Sequence, residues 1–508
     1  MTTANWRTKS MQLVATRARA IFFASFVVGS STVAAADIPL HQALSSRVEE
    51  YMAALVPRDK FSGTILIAHA GDVAFCKGYG MANLEHDVAC LPETKFRLGS
   101  ITKQFTAMAI LILQERGKLS VTDKVNKYMP DAPKAWDEIT IHYLLTHTAG
   151  IPNMTASPDF LKTISNRLTL AQLIAKFKDK PLDFKPGEKF AYSNSGYIVL
   201  GQVIETASGK SYASFLREAI FDPLQMRDSG YDNHSQILKH RASGYSRLLG
   251  LAPVNAQYID MSIPHAAGAL YSTVDDLLKW DQALESEKLV SKKALDAMFT
   301  PFKDNYGYGW AIDRKFGRVR YEHGGGIPGF VTIIERFPAE KFLVVALSNL
   351  ETLRIDKIGD DLAAIALEQP YVVPREPKIA KLDPRVYDSY TGTYEGELAD
   401  GKGKREFTVS RSGGRLIVQP KGQPRLEAIP ESETHFYLKP ADGLAEFVRA
   451  TDGSVNTIDF VLGNQKIKAS RVRATAKPAV DGRTTSKATE TLPESSKPSK
   501  ANVPDHKP

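Results

Sequence analysis

Ser100 and Lys103 stand as S-x-x-K at the head of an apolar run, SITKQFTAMAILILQER over 100–116, which Gly117 closes. Positions i and i+3 of a helix share a face, so this spacing sets an amine beside a hydroxyl. A serine hydroxyl becomes a nucleophile when a base takes its proton, and an ammonium near the positive end of a helix dipole is pushed toward its neutral, basic form. The backbone N–H of Ser100, an unpaired donor at a helix start, is placed to receive an oxyanion. Four-letter patterns of this kind recur by chance in a chain of 508 residues, yet Ser100 is the only serine here with lysine three residues on. The plainer reading is a serine that caps a core helix and a lysine that snorkels.

Two later motifs bear on that choice. Tyr192-Ser193-Asn194 follows the turn at Pro186-Gly187 and precedes a helical pattern over 195–207, which presents a phenol and a carboxamide from a loop on a rigid support. The same Y-x-N occurs at Tyr231-Asp232-Asn233, in a less specific context. His323-Gly324-Gly325-Gly326-Ile327-Pro328-Gly329-Phe330 ends a predicted strand. Its glycines let another backbone lie close and leave N–H groups such as that of Gly326 exposed. A glycine-rich turn with a surface histidine is the plainer alternative. An HGGG oxyanion loop of a lipase-type hydrolase needs a G-x-S-x-G nucleophile, and no serine in the chain has glycine on both sides at that spacing.

The elements that must hold these residues read as follows. A hairpin is expected over 61–81 around Gly71-Asp72, helices over 100–116 and 195–207, strands over 318–322, 330–336 and 342–347, and a final helix near 357–367. Strands at both ends of a mostly helical middle imply one antiparallel sheet built from distant segments with helices packed on it, an α+β fold. Pro content and charge rise over 369–382, a linker. Eight short runs then recur about every ten residues between Tyr390 and Val472, the rhythm of a small all-β barrel or sandwich. From Ala474 onward the composition has no apolar periodicity, and disorder is expected.

In this order S-x-x-K, Y-x-N and a basic residue-x-Gly on a late strand resemble the serine β-lactamase and penicillin-binding superfamily, in its class C β-lactamase-like branch. The blocks KFRLGSITKQFTAMAI, TIHYLLTHTAGIP, FKPGEKFAYSNSGYIVLGQVIE, AAGALYSTVDDLLKW and HGGGIPGF carry the resemblance, which covers about residues 45–368. It implies an antiparallel sheet flanked by helices with a mostly helical subdomain. It further implies Ser100 as acyl-accepting nucleophile, Lys103 and Tyr192 sharing the base and acid work, and Asn194 holding Lys103 and a substrate amide. His323, Gly325 and Gly326 would face the substrate, with the N–H groups of Ser100 and Gly326 forming the oxyanion hole. His323 departs from the lysine of most such β-lactamases, and a neutral imidazole binds a carboxylate less well than an ammonium. Residues 383–473 look like the lipocalin-like barrel that often follows such domains. The LLTHTAG stretch with His147 is structural in this family.

Other chemistry is excluded by count and spacing. His142 and His147 lack the Glu of H-E-x-x-H, and two cysteines cannot make a Cys₄ site, so no metal is expected. No phosphate loop or dinucleotide fingerprint occurs, and no cofactor is expected. Cys76 and Cys90 either pair, closing a loop of about 14 residues worth roughly 3 kcal/mol, or stay as core thiols.

Lys and Arg outnumber Asp and Glu by 65 to 57. Arg7, Lys9, Arg17 and Arg19 supply four of the excess charges, ahead of the apolar run Ala20–Gly29 and Ala34-Ala35-Ala36, the order of a secretory leader cut before Asp37. A leader kept as an anchor would be the one membrane contact. The balance of 37–473 is nearly even, which argues against a nucleic-acid partner. The expected organisation is a signal peptide over 1–36, a hydrolase domain over 37–368, a linker over 369–382, a barrel over 383–473 and a tail over 474–508. The expected protein is a periplasmic or secreted serine hydrolase acting on a small-molecule or peptide substrate, with cell-wall fragments among the candidates. A D-amino-acid peptidase or DD-carboxypeptidase-like enzyme or an esterase ranks ahead of a β-lactamase, and a non-catalytic cell-wall-binding or regulatory protein with the same fold is the alternative of another class.

Overall fold

The computed structural model describes residues 37–472 apart from 57–60, 248–251, 352–353, 375–376, 398–402, 424, 440–442 and 463–464. The leader expected over 1–36 and the tail expected over 474–508 lie outside the described residues. The chain divides into two compact units between Pro374 and Arg375, within the expected linker. Among the described residues no helix is long and apolar enough to cross a membrane.

The first unit is built on six antiparallel strands: β1 (Gly63–His69), β2 (Asp72–Tyr79), β3 (Ala311–Lys315), β4 (Arg318–Ile327), β5 (Phe330–Phe337) and β6 (Phe342–Ser348). Their order is β3-β4-β5-β6-β1-β2, so the early hairpin joins the late meander where β1 pairs with β6, from Gly63 opposite Ser348 to His69 opposite Phe342. Successive strand residues face opposite sides, and here both sides are covered. Ile65, Ile67, Val344 and Ala346 belong to one apolar core, while Leu66, Ala68, Val345 and Leu347 belong to another. That double burial is why these strands read as continuous apolar runs rather than as an alternation.

Five helices matter for the site: α1 (Asp37–Leu55), α2 (Thr102–Glu115), α3 (Asn194–Ser208), α4 (Val274–Leu284) and α5 (Ile355–Ala366). α1 and α5 cover one face of the sheet through Val48, Tyr51 and Met52 and through Ile358, Leu362 and Ile365. α2 lies in the larger core on the other face, and every residue from Thr102 to Leu113 is buried. A helix buried on all sides must be apolar all round, as this one largely is, and its polar exceptions each find a partner. Gln104 Oε1 accepts from Trp280 Nε1 of α4 at 3.1 Å, and Thr106 Oγ1 donates to the Ala266 carbonyl at 2.7 Å. Cys76 and Cys90 are unpaired thiols, and burial pushes them up to about 11 and about 12.

A three-stranded sheet of very short strands, Phe96–Arg97 beside Leu270–Ser272 beside Gly230–Tyr231, has no signal in the sequence. It ties the segment before Ser100 to the segment after Ala267, and the Leu98 N–H donates to the Leu270 carbonyl at 2.8 Å.

The second unit is a closed, all-antiparallel barrel of eight strands: β7 (Gly392–Glu397), β8 (Lys404–Ser412), β9 (Arg415–Pro420), β10 (Leu426–Pro430), β11 (His435–Lys439), β12 (Gly443–Arg449), β13 (Val455–Leu462) and β14 (Gln465–Arg471). Each of the eight sequence runs is one strand. Closure comes from pairing of β7 with β14, reinforced by Arg471, which donates to the carbonyls of Val455, Thr391 and Ser389 and to the Tyr394 hydroxyl. Alternate residues point inward, and aromatic rings fill the interior. Phe407 stacks on Phe460 with centroids 4.4 Å apart and Tyr390 on Phe447 at 4.5 Å.

Candidate active site

Ser100 sits in a single 3-10 turn, Gly99–Ile101, that leads into α2. The helix proper begins at Thr102, two residues later than the sequence pattern implies, and Ser100 makes no capping bond. The hydroxyl is therefore left for other work. Gly99 adopts φ +54, and a Cβ built on it would stand 2.8 Å from the Gly326 nitrogen. Only glycine allows the turn to lie this close against β4.

Lys103 is 0% exposed. Its Nζ lies 3.0 Å from Ser100 Oγ, 2.8 Å from Asn194 Oδ1 and 2.9 Å from the Ala267 carbonyl. All three partners are neutral oxygens. Burial holds the amine well below the ordinary lysine range, because a charge taken from water without a counter-ion is costly. Asn194 is the first residue of α3 and is itself held, its Nδ2 donating to Thr155 Oγ1 at 3.1 Å and its N–H to Asn153 Oδ1 at 3.1 Å.

Tyr192 places its ring under the same amine, with Nζ 4.8 Å from the centroid. Burial pushes its phenol above the ordinary range, and a hydrogen bond with Ser100 pulls it partly back. His147, at φ +55, packs its ring 4.2 Å from that of Tyr192. Its carbonyl accepts from the Ala191 N–H at 2.9 Å and its Nδ1 from the Ser193 N–H at 3.1 Å, so one residue grips the chain on both sides of Tyr192. The expected structural role of His147 thus acquires an object, the chain that carries Tyr192.

A cavity of about 190 Å³ opens beside Ser100. Ser100, Asn194 and Gly326 line it, while Lys103 and Tyr192 lie beneath and do not. Pairing of β3 with β4 stops at Glu322, so His323–Ile327 has no strand partner on that side among the described residues. Gly326 is exposed there, and a Cβ on it would meet nothing within 4 Å. Gly325 is different: its Cβ would fall 2.0 Å from the Leu98 carbonyl oxygen, so this glycine lets β4 approach the Ser100 turn and lies outside the cavity lining.

His323 also lies outside the lining. Its Nδ1 is 2.6 Å from the Gly324 carbonyl, a partner that can only accept, which puts the ring proton on Nδ1. Nε2 then accepts from the Tyr306 hydroxyl at 2.8 Å. Burial lowers this imidazole to about 3, so the ring is neutral at ordinary pH. Tyr306 has no motif around it, and nothing in the sequence singles it out. The other Y-x-N is structural: Asp232 is clasped by Arg97 at 2.7 Å and Arg241 at 3.0 Å. No group of metal-ligating side chains occurs among the described residues.

The Beta-lactamase family profile matches residues 44–368. Penicillin-binding protein 4* of Bacillus subtilis is 31% identical over 436 residues, covering 80% of this chain and 95% of that protein. Among solved structures, an octameric penicillin-binding protein homologue from Pyrococcus abyssi superposes with a TM-score of 0.60 at 28% identity, over 85% of this chain and 100% of the other. A D-stereospecific amidohydrolase from Streptomyces sp. superposes with a TM-score of 0.52 at 25% identity, over 63% of this chain and 97% of the other.

Proposed function

Because this chain belongs to the beta-lactamase family of serine hydrolases, we propose that it cleaves amides or esters through an acyl-enzyme on Ser100. One observation carries the reading: a fully buried lysine amine 3.0 Å from the Ser100 hydroxyl, with only neutral oxygens for partners among the described residues. A neutral amine has two N–H groups and one lone pair. With its N–H groups given to Asn194 Oδ1 and the Ala267 carbonyl, the lone pair faces the Ser100 hydroxyl hydrogen.

Ser100 Oγ attacks the substrate carbonyl while its proton passes to Lys103 Nζ, and the oxyanion is received by the N–H groups of Ser100 and Gly326. Tyr192 keeps its proton until the tetrahedral adduct collapses. It then protonates the leaving nitrogen or oxygen and is recharged from Lys103. Water repeats the sequence in reverse, with Lys103 as base, to release the acid and free Ser100.

D-amino-acid peptides or amides and small esters rank first as substrates. The penicillin-binding relatives and the D-stereospecific amidohydrolase support that class, and the neutral His323 ranks carboxylate-bearing β-lactams behind it. The leader's basic start, apolar run and A-x-A end support export, so that the hydrolase would act in the periplasm or outside the cell. The test is intact-mass spectrometry after incubation with a fluorophosphonate and with a penicillin. A single adduct on Ser100 is expected with the fluorophosphonate. No adduct with either reagent, on folded protein, would overturn the reading in favour of a non-catalytic binding protein.

A further inference from the structure

The cavity beside Ser100 carries information that the catalytic groups do not. None of its lining residues is ionisable. Apart from Ser100, Thr155 and Asn194 the walls are backbone and apolar side chains, chiefly Met154, Phe160, Ile198, Ile259, Ile263 and Ile327. Its volume of about 190 Å³ compares with the roughly 150 Å³ of an engineered apolar cavity that stays dry and takes up benzene. Three basic side chains close to Ser100 are committed elsewhere. Lys103 is spent on three oxygens, His323 has both ring nitrogens bonded within the protein, and Arg97 is clasped to Asp232.

We propose that this cavity receives the acyl group of the substrate and selects one whose side group is apolar and about the size of a phenyl ring, rejecting acyl groups that carry a carboxylate there. The inference rests on the acyl-enzyme reading above. The acyl group is the part of the substrate that stays bonded to Ser100 through both steps, so it is the part that a pocket containing Ser100 encloses. Each methylene removed from water in such a pocket raises transition-state binding roughly fourfold, whereas a carboxylate would be desolvated there with no cation among the lining residues, the Asn194 amide and Thr155 hydroxyl already donating within the protein and the Ser100 and Gly326 N–H groups given to the oxyanion.

The experiment holds the leaving group constant and varies the acyl group. p-Nitrophenyl acetate, butyrate, phenylacetate, hemisuccinate and the methyl ester of the hemisuccinate are compared by kcat/KM, each corrected for its rate with hydroxide. Phenylacetate is expected at least tenfold above acetate, butyrate between them, and the methyl ester at least tenfold above the free hemisuccinate. Ile263→Phe should narrow the phenylacetate-to-acetate ratio. A second measurement needs no substitution and so does not depend on how that variant folds: benzylboronic acid should bind the unaltered protein at least tenfold tighter than methylboronic acid. A flat or inverted series on protein whose Ser100 is labelled by fluorophosphonate overturns the pocket assignment alone. Absence of Ser100 labelling overturns both it and the acyl-enzyme reading.

Discussion

The Lys103 amine stands 3.0 Å from the Ser100 hydroxyl, and among the described residues no carboxylate shares its contacts. A carboxylate at that distance would keep the amine charged. Its absence, together with complete burial, is what makes a lysine usable as a base. Lys103→Met should therefore lower the rate of Ser100 acylation by roughly 10²–10⁴-fold while the melting temperature changes little, since a buried amine costly to desolvate is replaced by a thioether of similar length. Stopped-flow acylation and a thermal melt check both halves.

Asn194 offers a sharper test of the same idea. Asn194→Asp puts a carboxylate where Oδ1 now lies 2.8 Å from Nζ. An opposite charge there favours the ammonium, so the folded-state value of Lys103 rises and less free base is present at neutral pH. The acid limb of the kcat/KM profile should move to higher pH, with activity recovered as the pH is raised. A profile that keeps its limb in place would show that Lys103 is not the titrating base.

Adjacent glycines should respond differently. In Gly325→Ala the new methyl meets the Leu98 carbonyl oxygen at 2.0 Å and Thr332 Oγ1 at 2.2 Å, so β4 and the Ser100 turn must separate. A destabilisation of roughly 1–3 kcal/mol is expected from such overpacking, with loss of activity. In Gly326→Ala the methyl meets no atom within 4 Å. The melting temperature should hold while acylation slows, because the methyl occupies substrate space. Denaturant melts and acylation rates on the two proteins separate packing from chemistry.

Buried neutral histidines make the fold acid-sensitive. Burial lowers His265 to about 4 and His323 to about 3, below the roughly 6.5 of a free imidazole. Unfolded chains take up protons below about pH 6.5 that these native side chains refuse. The stability they permit is full above about pH 6.5 and is lost as the pH falls toward 4, at about 1.4 kcal/mol per pH unit for each. His265 sits at φ +38, a conformation asparagine tolerates, so His265→Asn should flatten the difference between melts at about pH 6.5 and about pH 4.5 by one histidine's share. An unchanged slope would remove His265 from the account.

Local periodicity explains which parts of this arrangement are legible in the amino-acid sequence. Helical spacing brings Ser100 and Lys103 together, the turn and helix around 186–207 locate Tyr192 and Asn194, and eight evenly spaced runs are eight barrel strands. What escapes depends on contacts between distant segments. Tyr306 reaches His323 across 17 residues by lying on a different strand-flanking loop, and His147 meets Tyr192 from a turn 45 residues earlier. Tyr306 has no motif, and the block that holds His147 does not name Tyr192 as its partner, because a ring packed against a ring needs only an aromatic residue at the right place in space. The start of α2 is displaced from its sequence pattern for a related reason: the close approach of Gly99 to Gly326 bends the chain into a 3-10 turn before the helix begins.

The strand order β3-β4-β5-β6-β1-β2 also sets a timetable. A growing chain that ends before β4 already contains Ser100 and Lys103, yet it lacks Gly326, half of the sheet and the partner of β1. During synthesis β1 waits with one edge unpaired, the kind of surface that invites association with other chains. The pairing that ends this wait joins residues about 280 positions apart, from Gly63 with Ser348 to His69 with Phe342, and contacts so distant in sequence form slowly. The proposed hydrolase site is thus completed late in synthesis, when the last strands of the first unit arrive.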